Sequence, residues 1–311
     1  MNKCLLCLIK DADETGSHIV PHFLMKRIEN APGDKERDKE IGFVIKKGFT
    51  SSHFGRAVQP KKLEEIYGEV TDELIESNTN DIVVDNYFCK TCEKRLAAIE
   101  NEYSKTIGSK TETNANFISE KRPFLGFLFW ISIVWRLSIQ ENSGFKLKQK
   151  EERKLGRILN SYLNTDIKQI KPDPSDPDLA NIGYKLLRAP NYSDNNSTWL
   201  HWSHIYERPY SFIIDEYLFF LYFKKNHMKG MTLDFYGSEP LKKKAIFNTA
   251  FSSESVYGME HQEHKEVGER MIFFSVQTRL NALSELLDNL HRESGQKGKH
   301  MPTDLKNEII K

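Results

Sequence analysis

Two Cys-x-x-Cys pairs are the residues of this chain whose types and spacing point most directly to chemistry. The pairs together contain every cysteine in the chain. A repeated pair with no cysteine left over is typical of a four-thiolate metal site. Zinc is the usual occupant of tetrahedral thiolate sites with short spacers. The sequence therefore predicts a structural Zn²⁺ bound by Cys4, Cys7, Cys89 and Cys92.

A histidine follows the first pair, in the stretch Ser17-His18-Ile-Val-Pro21. An imidazole has an unperturbed pKa of roughly 6.5, so it can accept a proton from water near neutral pH. Ser17 is also a suitable N-cap and Pro21 is tolerated in a first helical turn, so His18 could instead mark a helix start. The two interpretations stay open on the sequence alone.

Glu93 comes directly after the second pair. Carboxylate oxygen is a good ligand for Mg²⁺ or Mn²⁺, which makes Glu93 a candidate for a second, catalytic ion. A carboxylate in the first turn of a helix also complements the positive end of the helix dipole. Glu93 can therefore be a metal ligand or a structural residue.

The two pairs are far apart in the chain, so strands and helices must bring them together. The apolar stretch 82–88 predicts a strand that leads into Cys89, and residues 41–50 predict a strand or hairpin. After Cys92, apolar residues three and four apart predict a helix. Residues 61–76 have helical charge spacing.

Downstream, the polar stretch 108–116 predicts a domain boundary. A buried helix is expected over 124–140, and amphipathic helices over 147–163 and 276–291. The stretch 210–223 is so rich in apolar residues that a buried helix and a pair of strands fit it equally well. Short strands are expected at 183–187 and 199–205.

The resulting fold class is α+β, divided into three parts. We expect residues 1–109 to form a zinc-binding domain, residues 117–294 to form a mainly α-helical domain, and residues 295–311 to form a flexible tail.

The composition narrows the classes of partner and location. Lys+Arg 45 against Asp+Glu 44 leaves a net charge of +1, so any surface for nucleic acid must be local. The most apolar stretch, 124–135, is well below the roughly 20 residues of a membrane span. We expect no transmembrane segment and a cytoplasmic protein, with peripheral membrane contact through this stretch as a lesser alternative.

The order of these features resembles the treble-clef form of the HNH, or ββα-metal, nuclease superfamily over about the first third of the chain. The resemblance implies that His18 is the general base and that Glu93 binds a catalytic Mg²⁺ or Mn²⁺. The sequence departs from the family at Ser17, where Asp or His is usual. Asn86 is the nearest match to the middle asparagine of the family. Glu100 lies on the same helix face as Glu93, about 10 Å along it.

The resemblance implies an endonuclease that hydrolyses phosphodiester bonds, with DNA as the first expectation, in restriction or phage defence. The helical domain is then expected to sense a trigger, bind a protein partner or form an oligomer. The alternative is a non-catalytic zinc-dependent nucleic-acid-binding or adaptor protein with a degenerate site. Basic residues expected to contact phosphates, unless they form solvated faces, are Lys26, Arg27, Lys146, Lys148 and Lys150.

Overall fold

A computed structural model describes residues 2–25, 28, 41–46, 49–54, 64, 68–69, 71–73, 83–108, 117–119, 122–196, 198–202, 209–224 and 239–293. The helices are α1 (His22–Met25), α2 (Lys90–Gly108), α3 (Pro123–Ile139), α4 (Gln149–Tyr162), α5 (Glu239–Lys244) and α6 (His261–Glu293). The strands are β1 (Ser17–His18), β2 (Ile41–Lys46), β3 (Phe49–Phe54), β4 (Val83–Val84), β5 (Phe117–Ser119), β6 (Gly183–Arg188), β7 (Leu200–Trp202), β8 (Tyr210–Ile214), β9 (Tyr217–Tyr222), β10 (Asn248–Thr249) and β11 (Glu254–Gly258). The α+β fold class is confirmed.

The first strand pair joins two segments that are distant in the chain. β1 pairs antiparallel with β4, with Ser17 opposite Val84 and His18 opposite Val83. The turn after β4 places Asn86 at φ +59°, and its backbone N–H donates to the Glu14 carbonyl at 2.7 Å. This turn directs the chain into α2, so the predicted strand before Cys89 and the predicted helix after Cys92 are both present.

Strands β2 and β3 form a hairpin and pair antiparallel from Ile41 opposite Phe54 to Lys46 opposite Phe49. The prediction of a strand or hairpin over 41–50 is confirmed, and the hairpin continues to Phe54. The predicted helix over 61–76 lies mostly outside the described residues. The predicted boundary at 108–116, apart from its first residue, and the predicted tail 295–311 also lie outside them.

α3 is the central helix of the protein. All of its side chains from Phe124 to Ser138 are buried, so this helix is apolar on every side because it is surrounded on every side. Pro123 occupies its start, where a missing N–H costs nothing. The burial excludes the membrane contact considered for this stretch. None of the described helices has both the length and the apolar character needed to cross a bilayer.

A seven-stranded sheet lies against α3. Its order is β5-β11-β6-β9-β8-β7, with β10 paired to the beginning of β6. The ambiguous stretch 210–223 forms the β8–β9 hairpin, whose two-residue turn contains Asp215 at φ +51°. The expectation of a mainly helical second domain thus left out a sheet, because strands buried on both faces lack the polar alternation that signals a strand.

Alternate residues of the sheet belong to two different cores. Phe219 packs with Trp130 of α3, their ring centroids 5.1 Å apart. The neighbouring Leu218 and Phe220 pack on the other face, with Val267 and Met271 of α6. The larger core is continuous from Cys4 at the N-terminus through α2 and α3 to the sheet. The cysteines Cys4, Cys89 and Cys92 and one face of the sheet therefore belong to the same apolar core.

One carboxyl group is buried where α2, α3 and the sheet meet. The side chain of Glu254, on β11, accepts a hydrogen bond from the Tyr103 hydroxyl at 2.7 Å and is also bonded to the Tyr184 hydroxyl. Gly126 makes room for it, because a Cβ there would lie 2.5 Å from Glu254 Oε2. Burial raises the pKa of Glu254 to about 7, although both tyrosine hydroxyls act in the opposite direction.

This raised pKa predicts that Glu254 makes a contribution to the stability of the protein that is lost as the pH rises. Between the unfolded pKa near 4.5 and the folded pKa near 7, the native state holds a proton that the unfolded chain has lost. Burial of His264 lowers its pKa to about 4 and acts in the opposite direction over part of this range, so the Glu254 contribution is the difference between wild type and Glu254→Gln, which resembles the neutral acid. This difference in the free energy of unfolding, measured with urea at pH values from 5 to 8, should decline by a few kcal/mol and level off above about pH 7. Parallel wild-type and variant curves would contradict the assignment.

Candidate metal centre and adjoining acidic site

The four cysteines converge on one point. Their sulfur atoms all lie within 4.8 Å of one another, and Cys7 Sγ is 4.0 Å from Cys89 Sγ. A tetrahedral Zn²⁺ with bonds of about 2.3 Å would hold its sulfurs about 3.8 Å apart, so the cluster fits the ion. In the described part of the chain, no other group of three or more His, Cys, Asp or Glu side chains converges in this way. The cluster supports the prediction of a site for a metal ion such as zinc.

Backbone hydrogen bonds build the first cysteine pair into a tight loop. The Cys4 N–H donates to the Lys10 carbonyl at 2.9 Å, and the Leu8 N–H donates to the Cys4 carbonyl at 2.9 Å. Leu8 adopts the left-handed conformation, with φ +59°, which lets the chain reverse around the cysteines. The Leu5 N–H donates to the Tyr87 carbonyl at 2.9 Å, which connects this loop to the second pair.

The second pair lies at the start of α2. Cys89 precedes the helix and Cys92 lies in its first turn, where free N–H groups and the helix dipole favour negative charge. Asp13 accepts a hydrogen bond from the Lys90 N–H at 3.1 Å, so a residue near the N-terminus of the chain caps the helix. This cap and the cysteine cluster both join the N-terminal loop to the start of α2.

Cys4, Cys7 and Cys92 differ in their tendency to ionise. Burial raises the pKa of Cys4 and of Cys92. Burial acts the same way on Cys7, but the N–H groups of Lys10 and Ile9 outweigh it and lower the pKa of that thiol to about 6. A bound cation would stabilise all four as thiolates, and protons would be released on binding.

The residue before the predicted general base contacts the predicted metal ligand. The Ser17 hydroxyl donates to Glu93 Oε2 at 3.0 Å, and the Ser17 side chain is buried. Burial raises the pKa of the Glu93 carboxyl, while the Ser17 hydroxyl and the positive charge of Arg136 act in the opposite direction. The structure thus brings together Ser17 of β1 and Glu93 of α2, which are far apart in sequence. The acidic site is the group formed by Ser17, His18, Glu93 and Glu100.

Arg136 of α3 lies beneath this site, only 1% exposed. Its Nη1 donates to the His18 carbonyl at 2.7 Å and forms an ion pair with Glu100 Oε1 at 2.7 Å. Its remaining nitrogens donate to the carbonyl and the hydroxyl of Ser132. The charge of Glu100 is therefore balanced within the protein, and Glu93 is the carboxylate left for another cation.

The histidine itself is half-buried and lies beside a second one. The ring centroids of His18 and His22 are 5.9 Å apart, and the ring planes meet at 66° in an edge-to-face arrangement. His22 starts the short helix α1 and is half-buried rather than exposed on the surface. The backbone of His18 is held on both sides, by its pairing with Val83 and by Arg136.

The remaining predicted residues are distributed differently. Lys26 and Arg27 lie outside the described residues. Lys146 donates to the carbonyls of Ser138 and Gln140, so its ammonium group caps the C-terminus of α3. Lys148 and Lys150 are exposed near the start of α4.

Two residues of the site were missed in the sequence. Asp85 accepts a hydrogen bond from the Gly16 N–H at 2.7 Å and so braces the chain directly before Ser17. Arg136 is the second, although a lone charge inside a buried helix signals a paired or functional group. Asn86, by contrast, was expected as the match to the family asparagine, and it contributes its backbone to the turn.

The metal centre predicts that Cys89→Ser removes the metal and destabilises the fold. Three thiolates bind zinc less tightly than four, and the loop at residues 4–10 loses its tie to α2. Metal analysis by mass spectrometry should find one zinc ion per wild-type chain and a strongly reduced content in the variant. Thr91→Ser, between the cysteines of the second pair, should keep its metal. The prediction would be contradicted by a wild-type protein that contains no metal and whose melting temperature does not change when a chelator is added.

Arg136 predicts a strong energetic coupling with Glu100. Arg136→Met removes the counter-charge of a largely buried carboxylate and should cost roughly 3–5 kcal/mol of the free energy of unfolding. The double variant Arg136→Met/Glu100→Gln should lose clearly less than the sum of the single changes in a double-mutant cycle. The exposed pair Lys105–Glu102 of α2 is the matched control, for which little or no coupling is expected because solvent screens the two charges. Additive losses at Arg136 and Glu100 would show that the pair is not coupled.

Comparisons with known proteins do not extend this description. No protein-family model, no curated protein and no solved structure matches the chain. The chemistry of the site is therefore the basis for a function.

Proposed function

We propose that the chain is a metal-dependent endonuclease of the HNH type, which hydrolyses phosphodiester bonds in nucleic acid, with DNA as the first candidate. The observation that supports this proposal best is the contact of 3.0 Å between the Ser17 hydroxyl and Glu93 Oε2. It brings the position before His18 next to the helix carboxylate that follows the second cysteine pair. In the resemblance to HNH nucleases, these two positions hold the catalytic ion and flank the general base.

In this proposal His18 activates the attacking water. The neutral imidazole accepts a proton from water, whose oxygen attacks the phosphorus atom. The new P–O bond forms as the bond to the leaving oxygen of the sugar breaks, and that oxygen takes up a proton from solvent. The hydrogen bond from Arg136 to the His18 carbonyl fixes the backbone from which the imidazole acts.

Glu93 would hold the divalent ion, with Ser17 as a weak neighbouring ligand. Mg²⁺ commonly keeps several waters and needs only one or two protein carboxylates together with substrate phosphate oxygens, so a site with one available carboxylate fits it. When bound, the ion stabilises the negative charge that develops on the phosphoryl group and the leaving oxygen. The cysteine cluster has a structural role in this scheme, because it places α2 and hence Glu93.

A second candidate function is a zinc-dependent nucleic-acid-binding or adaptor protein without catalysis. The observation that favours it is the raised pKa of Glu93, whose carboxyl accepts a hydrogen bond from Ser17 where the family has a charged or imidazole ligand. A carboxyl that holds its proton more tightly is a poorer metal ligand. In this alternative the same fold presents a nucleic-acid surface only.

The resemblance also suggests a biological role and a use for the rest of the chain. Nucleases of this kind serve in restriction and phage defence, and we include that role in the proposal. Residues 117–294, which include the strands of the large sheet, would then sense a trigger, bind a protein partner or mediate oligomerisation.

Cleavage of supercoiled plasmid and of single-stranded substrates by zinc-loaded protein in Mg²⁺ or Mn²⁺ tests the proposal. We expect His18→Ala to lower the cleavage rate by roughly 100- to 10,000-fold, because the general base is lost. Glu93→Gln should raise the concentration of Mg²⁺ needed for half-maximal cleavage, because a ligand charge is lost. Both variants should keep the zinc content and the melting temperature of the wild type.

Matched controls are available within the chain. Glu102→Gln lies on the same helix as Glu93, where its side chain pairs with Lys105, and His291→Ala lies near the end of α6. Both should cut at the wild-type rate. Binding of nucleic acid without cutting by zinc-loaded wild type would favour the adaptor function. Cutting that survives His18→Ala would refute the assigned base.

A further inference from the structure

A cleft on the opposite side of α2 from the acidic site is not used by the proposed reaction. It has a volume of about 360 Å³ and lies between α2 and residues 163–170, which follow α4. This volume falls within the roughly 300–1,000 Å³ of small-molecule sites. At 100° per residue, Thr91 and Ala98 in its wall lie on average roughly 160° around the helix from Glu93 and Glu100. The cleft is therefore separate from the residues assigned to hydrolysis.

Three cationic side chains from a short stretch of α2 line one side of the cleft: Lys90, Lys94 and Arg95. Within the described residues none of them forms an ion pair with a carboxylate. Arg95 Nη1 lies 4.0 Å from Cys92 Sγ, and the neighbouring carboxylates Asp13 and Asp166 accept backbone N–H groups of Lys90 and Lys168. Lys10 adds a fourth positive charge, because its ammonium group donates to the Thr91 hydroxyl at 2.9 Å.

This placement of charge is unfavourable for the helix alone. Lys90 and Lys94 are four residues apart, where like charges repel each other. All three cations lie in the first turns of α2, where the helix dipole also disfavours positive charge. The thiolates of the cysteine cluster offset part of this cost, since Arg95 lies against Cys92. An anion bound between Lys90 and Lys94 would relieve the rest, so the arrangement favours a negatively charged ligand.

The other side of the cleft is apolar. Its floor contains Ile99 of α2, Leu163, and the half-buried Ile167 and Ile170 of the following segment. The hydroxyl-bearing residues Thr91 and Thr165 lie between the apolar and the basic sides. A ligand that fits both sides of the cleft has an apolar or flat part and carries an anionic group.

We propose that the cleft binds a nucleotide. The phosphate would contact Lys90, Lys94 and Arg95, and the base would lie against the branched side chains of Ile167 and Ile170. The same chemistry is offered by a free nucleotide and by one nucleotide unit of a nucleic-acid strand. The site does not require the hydrolytic function, because no residue is shared between the two.

Isothermal titration calorimetry with zinc-loaded protein tests this site. The probes are the four ribonucleoside triphosphates, a short oligothymidylate and inorganic phosphate, with the oligothymidylate applied to His18→Ala so that cutting does not intervene. The double variant Lys94→Ala/Arg95→Ala should weaken binding at least about tenfold, since each charge-assisted hydrogen bond to phosphate is lost. Lys105→Ala, a cation of the same helix that faces Glu102, is the matched control and should bind like the parent protein.

The outcomes separate the two sources and the failure of the proposal. Saturable binding of a free nucleotide that depends on Lys94 and Arg95 supports a nucleotide effector, and binding of the oligothymidylate alone with the same dependence supports contact with a strand. In both cases hydrogen exchange should show protection in 90–99 and 163–170. Absence of saturable binding by every probe, or equal binding by the double variant, overturns the proposal. None of these results depends on whether the protein cuts.

Discussion

The buried positive charge of Arg136 constrains how α2, α3 and β1 are arranged. An arginine side chain stays protonated in proteins, so burying it requires an acceptor or a counter-charge for its N–H groups. The structure supplies these from three elements: Glu100 of α2, the carbonyl of His18 in β1, and Ser132 of α3 itself. Helix α2 and strand β1 must therefore lie where they do for α3 to occupy the centre of the core.

The same charge organises the electrostatics of the acidic site. Two carboxylates, Glu93 and Glu100, face one guanidinium, and the ion pair at 2.7 Å assigns that guanidinium to Glu100. Glu93 remains half-buried, with a raised pKa and one hydrogen bond from Ser17. A divalent cation at Glu93 would complete the balance of charge and displace its proton. The nuclease and adaptor proposals therefore differ in one property, which is whether a metal ion binds at Glu93.

The parts of the structure that depend on local sequence pattern could be predicted from the sequence. Helices α2, α3 and α4 follow from apolar spacing, and the convergence of the cysteines follows from their pairing. The β8–β9 hairpin stayed open, because strands buried on both faces lose the alternation of polar residues; the Asp215–Glu216 turn was the available signal. The ion pair of Arg136, the cap from Asp13 and the basic cleft on α2 escaped detection because their parts come from distant segments. Lys146 was read as a phosphate contact, whereas tertiary structure uses it to cap α3.

The most direct measurement of the central claim is the position of a catalytic ion. Crystals of the zinc-loaded protein soaked with Mn²⁺, with anomalous data collected to distinguish manganese from zinc, would show where a second ion binds. The account predicts a manganese peak at bonding distance from a Glu93 carboxylate oxygen and next to Ser17. Manganese only at other sites, with the Ser17–Glu93 hydrogen bond intact, would contradict it.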